Sequence, residues 1–243
     1  MTKPPAIVLT APGTNRQHDA AFALEQAGAA PVCVDLLDLP DRRAEIDRAK
    51  LLVVAGGFSY GDALGSGRVF ALELERLLGD LLAKKVAHGT PILGVCNGFQ
   101  MLVRLGLLPG ALQHNERGHF ECRWVVLRPS SDCCIWTRDL EEPIRCPVAH
   151  GEGRYQCSPQ TLDQLRAEDR IAFRYEEDTY PSNPNGSVDA IAGVCDSTGL
   201  VLGMMPHPEN HVTPRQGRAI VAEAGRGSAL PLFRRGVAYA ERS

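Results

Sequence analysis

Cys96 sits in Pro91-Ile-Leu-Gly-Val-Cys-Asn-Gly-Phe-Gln100, with Gly94 and Gly98 two positions to either side. Ile92 to Val95 reads as a short buried strand, and Asn97 to Leu105 as a helix with Phe99, Met101, Leu102 and Leu105 on its apolar face. The cysteine therefore occupies a strand-to-helix corner, the thiol counterpart of the G-x-S-x-G nucleophile turn. Such a turn exposes the sulfur at the carboxyl end of the strand, and its glycines let neighbouring backbone approach. The helix N-terminus favours thiolate. The Asn97 amide is left to face an oxyanion. In isolation the same pattern fits a buried structural cysteine equally well.

A nucleophilic thiol needs a base and a group that orients the base. Of seven histidines, His207 is the informative one, in Leu202-Gly-Met-Met-Pro-His-Pro-Glu-Asn210. Prolines on both sides imply an extended segment, in which Glu209 projects to the same side as His207. This gives a nucleophile, histidine and carboxylate in Cys96, His207 and Glu209. The same segment also offers His207, Glu209 and His211 as metal ligands, or a plain Pro-His-Pro turn. With no companion ligand set and no Cys-x-x-Cys pair, no metal site is expected.

Two further segments bear on the site. Gly56 to Gly67 holds five glycines in twelve residues directly after a strand, so its backbone must lie close to something. The Gly57 or Phe58 amide is a candidate second oxyanion donor, and the loop a candidate wall for a small polar substrate. The loop matches neither phosphate-binding glycine pattern, and a plain surface loop is the simplest alternative. In Ala149-His-Gly-Glu-Gly-Arg154, glycines on each side of Glu152 read as backbone lining a site. His150, Gly151, Glu152 and Gly153 are therefore candidate substrate binders, against a simple hairpin turn. Gln100, one helical turn after Cys96, could face the same pocket or solvent.

The elements that must position these groups alternate in the first half. Strands are expected at Pro5 to Thr10, Pro31 to Leu36 and Leu51 to Ala55. Helices are expected from about Asn15 to Ala27, over Asp41 to Lys50, and as one long element over 68–86 with Val69, Leu72, Leu77, Leu78 and Leu81 inward. This alternation predicts a parallel sheet covered on both faces, with ligands beyond the carboxyl ends of the strands. The second half changes texture. Strands over Phe120 to Arg128, Ile144 to Ala149, Ile171 to Tyr175, Ala190 to Val194 and Leu200 to Met205 have no clear helix between most of them, which predicts antiparallel or mixed pairing. Helices return over 215–224 and at Pro231 to Glu241. With no linker and no repeat, residues 1–243 read as a single domain.

A net charge of −3 gives no footprint for nucleic acid or anionic membrane. No apolar run approaches the roughly 20 residues that span a bilayer. There is no export signal, so eight cysteines read as free thiols of a cytoplasmic protein, with Cys33, Cys122, Cys146 and Cys195 in the core and Cys133-Cys134 in a loop.

Taken together, Pro12-Gly-Thr-Asn15, Gly56-Gly-Phe-Ser-Tyr-Gly-Asp62, Gly94-Val-Cys-Asn-Gly-Phe-Gln100, His150-Gly-Glu-Gly153, Asn183-Pro-Asn-Gly-Ser187 and Gly203-Met-Met-Pro-His-Pro-Glu209 resemble the class I (triad) glutamine amidotransferases. Among these, the chain is most similar to the glutaminase subunits of phosphoribosylformylglycinamidine synthases. Gly56 to Asp62 and Asn183 to Ser187 are the more specific segments. The resemblance implies a flavodoxin-like open mixed sheet, mainly parallel, with helices on both faces. It implies hydrolysis of glutamine through a Cys96 thioester, with Gly57 and Asn97 as the oxyanion hole. Phe58, Gln100 and residues 150–153 would bind substrate. The ammonia would pass to a synthetase subunit that uses ATP and Mg, with room for a small bridging subunit and no cofactor in this chain. After Glu209 the family usually has arginine, whereas here it is Asn210, and Asn115-Glu-Arg-Gly118 is looser than the family pattern. The rivals are an amidotransferase with another ammonia acceptor, a catalytically idle glutamine-binding or scaffolding module, and a cysteine-dependent enzyme of the related α/β group.

Overall fold

The computed structural model describes residues 3–62, 64, 65, 67–78, 81–217 and 227–242. In chain order they form β1 (Pro5–Thr10), α1 (Gln17–Ala27), β2 (Ala30–Asp35), α2 (Arg43–Arg48), β3 (Leu51–Val54), α3 (Arg68–Leu78), α4 (Leu81–Ala87), β4 (Ile92–Val95) and α5 (Asn97–Arg104). There follow β5 (Ala111–Gln113), β6 (Glu121–Pro129), β7 (Ile144–His150), β8 (Arg154–Gln156), α6 (Pro159–Ala167), β9 (Ile171–Tyr175), β10 (Ile191–Cys195), β11 (Val201–Met204) and α7 (Leu230–Ala240).

Nine strands form one sheet in the order β2-β1-β3-β4-β11-β10-β9-β6-β7. The first five are mutually parallel and the remaining pairings are antiparallel, so seven strands share a direction and β6 and β10 oppose it. This is the mainly parallel mixed sheet expected. β3, β4, β10 and β11 are buried at every residue, which requires cover on both faces. On one of these faces α5 lies directly on the sheet, because Gly94 of β4 and Gly203 of β11 are paired neighbours without side chains. A Cβ at Gly94 would run into Leu102, and one at Gly203 into Phe99. β5 and β8 make a separate two-stranded ribbon.

Several boundaries differ from expectation for physical reasons. Of the helix expected over 68–86, α3 and α4 are the described parts, and residues 79 and 80 between them lie outside the described residues. In α3, Phe70, Ala71 and Leu74 are buried, whereas Leu72 is 54% exposed, so the apolar face is turned from the one expected. α6 escaped notice because it is almost wholly polar and buries only Leu165; its signal is local, with Ser158 capping the Thr161 amide at 3.1 Å and Pro159 in the first turn. Cys122 is exposed, because alternation along β6 turns Glu121 inward. The helix expected over 215–224 lies mostly outside the described residues. No helix among the described residues is long and apolar enough to cross a membrane.

Candidate active site

β3, β4 and β11 are adjacent and parallel, so their carboxyl ends deliver Gly56-Gly57, Cys96 and Pro206-His207 to one place. Cys96 has φ 50° and ψ −105°, a backbone region that residues with a Cβ rarely adopt. The surroundings fix it there: its amide donates to Met204 O at 2.8 Å, and its carbonyl accepts from the Gln100 amide at 3.1 Å. Gly98 lies against the Val54 backbone, where a Cβ would run into the carbonyl. The expected close approach of backbone at this elbow is therefore present, and its partner is β3. Gly56, which the sequence did not single out, is packed between the two catalytic candidates. A Cβ on it would lie 2.8 Å from His207 Cε1 and 3.3 Å from Cys96 Cβ.

His207 and Glu209 are 3% and 1% exposed. His207 Nδ1 donates to Glu209 Oε1 at 2.7 Å. The segment is not extended as expected: Pro208–Asn210 forms one 3-10 turn. Proline's fixed φ suits the first position of a helical turn as well as an extended one, and this turn also brings the carboxylate onto the ring. The His207 amide donates to Pro147 O at 2.8 Å. Burial opposes a charged ring, but the Glu209 carboxylate and the Cys96 sulfur outweigh it and lift the His207 pKa from 6.5 to about 10. His211 is engaged elsewhere, with its Nδ1 donating to Arg145 O at 2.7 Å and its ring edge-on to Trp124.

Asn97 begins α5, so its amide is among the open donors of a helix N-terminus. Its side chain ties the glycine loop to the elbow, with Nδ2 donating to Asp62 Oδ1 at 2.9 Å and to Gln100 Oε1 at 3.1 Å, and Oδ1 accepting from Ser59 Oγ. Gly57, at φ 138°, forms a bridge with Thr14, and the Tyr60 amide donates to Pro12 O at 2.6 Å. The Pro12 to Asn15 turn thus braces the glycine loop. Gln100 is 4% exposed, and both ends of its amide are taken, since Nε2 donates to Glu152 O at 2.5 Å.

β7 lies at the far end of the sheet, yet its carboxyl end returns to this seam. Besides the Pro147 bond to His207, Ala149 O lies 4.0 Å from Cys96 Sγ. That return places residues 150–153 beside the thiol. Asn115 organises them: Nδ2 donates to His150 O at 2.8 Å, and Oδ1 accepts from His150 Nδ1 at 3.1 Å and from the Gly153 amide at 3.0 Å. Asn185 Nδ2 donates to Gly153 O at 2.8 Å. His150 is therefore neutral, with Nε2 buried and unpartnered. Burial, together with the positive His207, lowers its pKa from 6.5 to about 3. Phe58, 44% exposed, stacks on Phe120 with ring centroids 6.2 Å apart. Asn210 Nδ2 donates to Asp19 Oδ2 at 3.1 Å, a carboxylate also paired with Arg16 at 3.3 Å.

Sequence reasoning missed Gly56 and Asn115. Gly56 was visible only as half of a double glycine after a strand, and nothing in a polar stretch marks Asn115 as a hub.

A model of the CobB/CobQ-like glutamine amidotransferase domain matches residues 3–240. A phosphoribosylformylglycinamidine synthase subunit PurQ from Treponema denticola is 42% identical, with 98% of this chain and 99% of that protein aligned. The corresponding subunit from Corynebacterium jeikeium is 43% identical over 88% of this chain and 91% of its own. Among solved structures, a chain of PurLQS from Thermotoga maritima superposes with a TM-score of 0.79 at 37% identity, covering 98% of this chain and 99% of that one. The strained cysteine elbow, the buried His207–Glu209 pair and these likenesses agree, and the chain belongs to the CobB/CobQ-like glutamine amidotransferase family.

Proposed function

We infer that this chain is the glutaminase subunit of a phosphoribosylformylglycinamidine synthase, hydrolysing glutamine and handing the ammonia to a synthetase subunit. The observation that carries the chemistry is the Cys96 elbow against a buried His207 whose other ring nitrogen is held by Glu209 at 2.7 Å. Cys96 attacks the side-chain amide carbon of glutamine. His207 takes up the thiol proton and returns it to the leaving ammonia, and Glu209 stabilises the imidazolium formed in between. The Asn97 and Gly57 amides face the tetrahedral oxyanion, where such donors are each worth about 3–4 kcal/mol. Water then cleaves the γ-glutamyl thioester, releasing glutamate and the Cys96 thiol.

Glutamine is held by residues 150–153 and walled by Phe58. The buried lone pair on His150 Nε2 supports an acceptor role toward the N–H groups of the substrate. Gln100, with both ends of its amide engaged, fits a positioning role better than direct contact. The whole chain acts as a single amidotransferase domain, a reading supported by one sheet that draws strands from residues 5 to 204. ATP and Mg are used on the synthetase subunit, since this chain carries no phosphate-loop motif. Likeness to a chain of PurLQS supports partners of two kinds, the synthetase and a small bridging subunit. Eight free thiols favour the cytoplasm.

The test is ammonia release from glutamine by the purified chain, alone and with its synthetase subunits, for wild type and Cys96→Ala. Release that rises with the partners and vanishes in Cys96→Ala is expected. Release that persists in Cys96→Ala removes the nucleophile, and silence under every condition favours an idle glutamine-binding module.

A further inference from the structure

Three thiols unused by the glutaminase chemistry converge at one place. The loop after β6 carries Cys133 and Cys134, and β10 ends at Cys195. The Cys133 and Cys195 sulfurs are 3.8 Å apart although the residues are 62 apart in sequence. Cys134 and Cys195 are fully buried, and Cys133 is partly exposed. The loop is held onto the strand end by several bonds. The Ile135 amide donates to Gly199 O at 3.0 Å, and Trp136 Nε1 to Leu200 O at 2.9 Å. The Asp132 and Cys133 amides both donate to Asp169 Oδ2, at 2.8 and 3.1 Å. Gly199 is required for this approach, since a Cβ there would run into the Cys133 carbonyl. The Cys133 thiol donates to Asp169 O at 2.9 Å, and Ser131 Oγ donates to the same carbonyl at 2.5 Å, so the sulfur is anchored beside Cys195.

We propose that Cys133 and Cys195 are a redox modification site, closing to a reversible intramolecular disulfide when the chain meets a hydroperoxide. The half-open Cys133 reacts first. Its sulfur attacks one peroxide oxygen, the O–O bond breaks, and the leaving oxygen takes the thiol proton as water (for hydrogen peroxide), giving a sulfenic acid. The Cys195 sulfur then attacks the Cys133 sulfur. The S–O bond breaks, the S–S bond forms, and hydroxide leaves with the Cys195 proton as a second water. Two thiols lose two electrons and two protons in all, and the peroxide is reduced. The remaining movement, from van der Waals contact to about 2.05 Å, falls on the Cys133 side, which belongs to a loop.

The site is separate from the glutaminase. Cys195 pairs with Leu202 toward the amino end of β11, whereas His207 follows the carboxyl end of that strand. Cys96 is neither consumed nor protected by the bond.

The experiment treats the full chain with hydrogen peroxide and maps cysteine peptides by mass spectrometry, before and after a thiol reductant. The expected product joins the Cys133 and Cys195 peptides with loss of two hydrogen atoms, reverts on reduction, and is absent in Cys133→Ser. The reduced Cys133→Ser protein keeps its glutaminase rate. Cys133 recovered only as sulfinic or sulfonic acid overturns the proposal. So does a bond from Cys133 to Cys134, or a Cys133–Cys195 product that reductant does not reopen.

Discussion

The His207 ring and the Gly56 α-carbon are so close that no methyl group fits between them: a Cβ on Gly56 would sit 2.8 Å from Cε1 of the ring. Gly56→Ala must push the ring from its place beside Cys96. Misplacement of a reacting group by about 1 Å can cost on the order of 10²-fold in rate. The variant is expected to lose that much kcat for glutamine hydrolysis while its circular dichroism stays native. An unchanged kcat would mean that the ring does not act from this position.

Buried charges explain a second outcome. Glu209 is 1% exposed and its charge is balanced by His207. Removing one member of such a pair leaves the other uncompensated, typically at a cost of about 3–5 kcal/mol. His207→Ala should therefore be unstable as well as inactive. Adding Glu209→Gln should restore part of that stability, although neither variant hydrolyses glutamine. Urea unfolding of the three proteins reads the difference, and a double variant weaker than His207→Ala contradicts it.

The two histidines give opposite pH behaviour. The His207 pKa is raised from 6.5 to about 10, so its stabilising contribution is complete below pH 6.5 and is lost as pH rises through 10. The His150 pKa is lowered from 6.5 to about 3, so its contribution is complete above pH 6.5 and is lost as pH falls through 3. His150→Asn keeps a donor for Asn115 and removes the titration. Between pH 6.5 and 3, its stability should fall less steeply than that of the wild type in denaturant titrations.

Asn115 carries a prediction about binding. Asn115→Ala leaves the Gly153 amide and the His150 carbonyl without their partner. An unsatisfied buried group costs about 1–3 kcal/mol. The segment that would hold glutamine loosens, so KM for glutamine should rise well before kcat falls. Steady-state kinetics that show the reverse would place residues 150–153 away from the substrate.

What could be read from the chain, and what could not, divides along local and long-range physics. The Cys96 elbow was legible because its glycines, strand and helix are contiguous, and the structure places Gly98 against backbone as the spacing required. The parallel half was legible from alternation, and Gly28 ends α1 at φ 104° as expected of a helix-stopping glycine. The outward phase of Cys122 and Leu72 was not legible, because which face of an element meets the core depends on elements distant in sequence. Neither was the return of β7 to the seam, whose contacts at Pro147 and Ala149 join residues distant in sequence.

That return makes one edge strand answerable to the chemistry at the centre of the sheet. The seam of β3, β4 and β11 carries the bond-breaking groups, while the segment assigned to the substrate hangs from β7, four ladders away along the sheet. The two parts meet where Pro147 O accepts from the His207 amide, where Ala149 O faces the Cys96 sulfur, and where Gln100 Nε2 donates to Glu152 O. A displacement of β7 would therefore reach the base, the thiol and the elbow helix together. Bond breaking and the grip on the substrate are thus joined through the backbone of one edge strand.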